Sequence, residues 1–80
     1  MPVEMPIEIL VNAVGILMTR NRRRAEERRE LQKRLSDFPP ASGGHRAWME
    51  RRIRELDEEE TACHREIMAR LDVLRERQSR

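Results

Sequence analysis

Pro39-Pro40-Ala41-Ser42-Gly43-Gly44 breaks an 80-residue chain near its middle. Adjacent prolines disrupt a helix, and the glycines behind them weaken any regular element. The stretches on either side both read as helix, so the break predicts a chain folded back on itself. Charged residues make up 40% of the sequence, rich in Glu and Arg, which suits long exposed helices rather than a sheet. Beyond residue 18 no alternating apolar run is long enough for paired strands. The expected fold class is all-α, an antiparallel helical hairpin of two long helices. Its layout is a tail over 1–5, helix 1 over 6–37, a Pro/Gly turn over 38–44 and helix 2 over 45–78.

Upstream of the break, Pro6 suits the first helical position and Glu8 complements the positive end of the helix dipole. Ile7 to Met18 is almost wholly apolar, whereas Thr19 to Lys33 is densely charged. At about 100° per residue, Ile7, Leu10, Val14, Leu17, Leu31 and Leu35 fall on one broad stripe. Asn21, Arg24, Ala25 and Arg28 occupy the middle of that stripe. Downstream, Met49, Ile53, Leu56, Cys63, Ile67, Leu71 and Leu74 recur at spacings of three and four, a narrow coiled-coil-like seam. Glu60 interrupts its centre.

Folding at residue 42 pairs positions whose numbers sum to roughly 84, because both helices rise equally per residue. Arg24 then faces Glu60, Arg28 lies one turn away beside Leu56, and Asn21 falls near Cys63 and His64. Arg24, Arg28 and Glu60 are therefore expected to form an ionic layer within the seam. Such a layer sets register more than it adds stability.

An 80-residue chain buries a modest fraction of its surface and commonly needs a second subunit. Ile7–Met18 also carries more apolar surface than one narrow stripe covers. The expectation is a homodimer forming a four-helix bundle, with Ile7, Leu10, Val11, Val14, Leu17, Met18, Ile67, Leu71 and Leu74 at its interface. An interfacial membrane helix over Ile7–Met18 is a competing reading, since arginines follow directly. A transmembrane span is too long for this twelve-position run, which contains Glu8 and Asn12.

The net charge is only +2 and all but one of the seventeen basic residues are Arg. The run Arg20, Arg22, Arg23, Arg24, Arg28 and Arg29 is the nucleic-acid candidate. Its side chains point around the helix, Glu26, Glu27 and Glu30 are interleaved, and no aromatic ring stands by to stack on bases. The acidic run Asp57–Glu60 faces it, so an internally paired surface is the favoured reading.

Cys63 is the sole cysteine, which excludes an internal disulfide and suits a cytoplasmic setting. Glu4, Glu8 and the arginines after the apolar run argue against a secretory signal. No residue set for catalysis, a metal or a cofactor is present, as Cys63 and His64 point about 100° apart on a helix. The chain therefore reads as a non-enzymatic protein-binding module, an adaptor or inhibitor of a larger protein. Arg20, Arg22, Arg23, Arg29 and Trp48 are the candidate contact residues. Phe38 and Trp48 flank the turn and are placed to close it. In size and class the chain resembles small helical proteins encoded by phages and mobile elements, anti-CRISPR proteins and anti-activators among them. That likeness of scale implies an inhibitory role.

Overall fold

The computed structural model describes residues 5–37 and 43–79. Two helices account for nearly all of them: α1, Ile7–Asp37, and α2, Gly43–Gln78. They run antiparallel against each other as a helical hairpin. Pro6 sits just outside α1, and its carbonyl accepts from Leu10 N at 3.2 Å. It thus occupies the cap rather than the first helical position. At the far end of α2, Ser79 N bonds the Arg75 carbonyl and its hydroxyl bonds that of Glu76.

Gly43 and Gly44, expected in the turn, form the first residues of α2. No described glycine has positive φ, so neither is there for a left-handed turn. The expected Phe38–Trp48 closure lies outside the described residues. The helices sit about three residues from the expected register, since Glu60 lies opposite Asn21 and Cys63 opposite Leu17. Asn21 donates to the Glu60 carbonyl, and Cys63 Sγ donates to that of Leu17.

The seam contains the expected stripes. Leu10, Val14, Cys63, Ile67 and Leu74 form a buried cluster, with Leu17 and Leu71 packed on it. Met49 and Leu56 are buried beyond Glu60, and Leu31, Leu35 and Ile53 are half-buried. A polar layer at Asn21, Arg28 and Glu60 thus divides the apolar seam in two.

The hairpin is a thin rod of 60 × 20 × 16 Å. Its radius of gyration is 17.9 Å, against about 12 Å for a compact chain of this length. Its accessible surface is 6480 Å², where roughly 5100 Å² is typical for this mass. Much of the excess is apolar: Ile7, Ile9, Val11, Ile16, Met18, Met68 and Val73 are all exposed.

Candidate functional site

The ionic layer exists, but its partners differ from expectation. Arg28 takes the place assigned to Arg24: its Nε and Nη2 both donate to the Glu60 carboxylate, Nη2 at 3.3 Å. Both side chains are largely shielded, at 24% and 15% exposure. The hydrogen bond that Arg28 donates to Glu60 raises the Arg28 pKa above its usual value, with burial opposing it. Arg24 pairs instead with Glu59, at 3.4 Å on the more exposed flank. Side-chain direction is the reason: each side chain leans toward the N-terminus of its own helix, so Arg28 and Glu60 incline toward one another across the seam while Arg24 inclines away.

Arg52 is a cross-helix anchor that the stripe reading missed. It reaches Glu27 at 3.1 Å and also pairs with Glu55 at 3.5 Å. The hydrogen bond to Glu27 raises its pKa. The signal was available: Glu27 and Arg52 face each other on seam flanks in the register that sets Asn21 opposite Glu60.

Of the nine residues assigned to a dimer interface, six are taken up inside one chain. Leu10, Val14, Ile67 and Leu74 are buried in the seam, with Leu17 and Leu71 half-buried against it. Ile7, Val11 and Met18 remain exposed. A two-helix seam needs every stripe residue for itself, so a second chain has only the flanks to use.

The arginine run is less neutralised than its surroundings suggested. Among the described residues, Arg20, Arg22, Arg23 and Arg29 enter no ion pair. Glu30 is drawn to Arg34 and Glu27 to Arg52, while Glu59 and Glu60 serve Arg24 and Arg28. Trp48 is 49% exposed and stacks on His45 at 5.9 Å. By register it lies about 20 Å along the rod from Arg20. The candidate contact residues therefore do not converge on one spot.

What does converge is a shallow groove between the helices, lined by Met18, Asn21, Ala25, Glu60, His64, Met68 and Leu71. Asn21 Nδ2 reaches the Glu60 backbone carbonyl at 3.3 Å, but its Oδ1 is shut off from water without a donor. His64 is exposed beside the groove and does not bond Asn21. A polar atom left unmet in this way costs free energy.

Replacing Asn21 by Leu should therefore stabilise the hairpin. It removes an orphan acceptor and strands nothing, because the Glu60 carbonyl keeps its own helical partner. A gain of about 1 kcal/mol, or several degrees in Tm, is expected by thermal circular dichroism. A fall in Tm would show that the 3.3 Å bond outweighs the unmet oxygen.

Cys63 is buried and its thiol engages the Leu17 carbonyl at 3.5 Å, so it behaves as a small seam residue. Among the described residues, no cluster of His, Cys, Asp and Glu is arranged to hold a metal ion. No described helix is long and apolar enough to cross a membrane. No protein-family model matches the chain, and no match was found among curated proteins or solved structures.

Proposed function

We propose that this hairpin is a non-enzymatic protein-binding module, an adaptor or an inhibitor that acts in the cytoplasm by docking on a larger protein. It works as a dimer. The observation that carries this reading is the groove between the helices with exposed Met18 and Met68 on its rim. Exposed methionines are adaptable apolar contacts, and they recur at surfaces that receive amphipathic helices. An arriving helix that lays apolar side chains on Met18, Met68 and Leu71 would cover the apolar part of the groove.

Met68→Glu tests this, because it places a charge in the groove at a residue that the seam does not use. Capture of the target from the native host should fall sharply, while the melting transition stays put. Capture that survives Met68→Glu and is lost on raising salt would move the function to the arginines.

That second reading has its own support, since Arg20, Arg22, Arg23 and Arg29 are exposed and unpaired among the described residues. A nucleic-acid binder using all four would lose affinity steeply with salt, by a log–log slope of about −3 to −4. A flat salt response would dispose of it.

A further inference from the structure

The side of α1 turned away from α2 has no use in the hairpin. Glu8, Asn12, Gly15, Thr19 and Arg23 follow one another along it at helical spacing, all exposed. Asn12, Gly15, Ile16, Thr19 and Arg23 line a shallow depression there. Gly15 opens it, for a Cβ at that position would meet nothing within 4 Å. The Thr19 hydroxyl is folded back onto the Gly15 carbonyl at 2.9 Å, so it asks nothing of a partner. Ile16 stands beside the gap and is 54% exposed. Glu8 and Arg23 enter no ion pair among the described residues.

We infer that this face receives a second copy of the chain, the two α1 helices running antiparallel about a two-fold axis beside Gly15 and Ile16. Equal rise then sets positions summing to about 31 opposite one another. Glu8 meets the partner's Arg23, and Arg23 meets the partner's Glu8, each pair about 11 Å from the axis. Ile16 fills the space above the partner's Gly15, and Asn12 faces the partner's Thr19. The surface is its own complement in charge and in shape, as an isologous interface requires.

A parallel arrangement fails on the same residues. It would set Glu8 against Glu8 and Arg23 against Arg23, and align the helix dipoles unfavourably. An unrelated acidic helix would satisfy Arg23 but leave Glu8 facing like charge. Two hairpins joined in this way form four helices with both α1 helices inside. The Met18–Met68 groove stays open on each, so the inference deepens the dimer of the proposed function and leaves target docking independent.

Sedimentation analysis across a concentration series tests the inference on the full chain. Wild type should sediment at twice 9.6 kDa. Gly15→Gln should weaken association at least roughly tenfold without lowering Tm, since glutamine is the better helix former and meets no neighbour. Glu8→Arg and Arg23→Glu should each do the same, and the double reversal should restore the dimer. A dimer that ignores Gly15→Gln, or charge reversals that fail to rescue one another, would overturn this face while leaving dimerisation intact. A wild-type chain that stays monomeric at about 100 μM would overturn the dimer itself. Neither result touches the groove, which Met68→Glu reads separately.

Discussion

Leu56→Ala is expected to lower the stability of the hairpin by about 3 kcal/mol, a large share of the roughly 4–12 kcal/mol that a chain of this length commands. Among the described residues Leu56 is the most deeply buried side chain, at 0% exposure. It stands on the far side of the polar layer from the Leu10–Leu74 cluster, with Met49 as the other buried apolar residue there. A thin seam has few neighbours able to collapse into a vacated space, so both transfer and cavity terms apply. Isolated helices gain little from propensity alone, and their order here rests on this contact surface. Urea unfolding followed by circular dichroism should show the midpoint fall and the transition broaden. A loss under about 1 kcal/mol would mean that the lower seam contributes little to cooperativity.

Breaking the Arg28–Glu60 pair from either side should have unequal consequences. Arg28→Leu leaves the Glu60 carboxylate shielded beside Leu56 and Cys63 with its cation gone. A cost of about 2 kcal/mol is expected, within the range for a charged hydrogen bond in a partly shielded site. Glu60→Leu should cost less, because Arg28 also donates to Gln32 at 3.2 Å and has a long stem with which to reach water. Replacing both by Leu should recover the loss or exceed wild type, since two desolvated charges give way to apolar packing. The double variant should also lose uniqueness. With the buried ion pair gone, sliding by a heptad breaks only the more exposed pairs Arg24–Glu59 and Arg52–Glu27, a smaller penalty. Its signature would be heterogeneous masses in sedimentation together with a raised Tm. A double variant that is homogeneous and weaker than either single change would show that the pair supplies net stability instead of register.

The hairpin was legible because its cause is periodic. Met49, Leu56, Cys63, Ile67 and Leu74 repeat at the pitch of a helix, and the proline pair allows only one place to bend. Cys63, as a small apolar seam residue, was equally readable. The register was not. Whether Gly43 and Gly44 belong to the turn or to α2 depends on a small difference in helix propensity against a gain in capping and packing. That choice moves every cross-helix partner. Asn21 against Glu60 and the bridge from Arg52 to Glu27 follow from it, while Arg28 reaches Glu60 because both side chains lean toward their own helix N-termini.

Residue order alone therefore determined two amphipathic helices, the bend between them and the need for a charged layer at mid-seam. Those are local properties of spacing and side-chain chemistry, indifferent to a slip of a few residues. The folded hairpin decided which carboxylate each guanidinium meets, which apolar residues are left over, and where Asn21 is only half satisfied. Arginine reaches over about a turn of helix, and several carboxylates compete within that span. Only the settled alignment of two backbones selects among them.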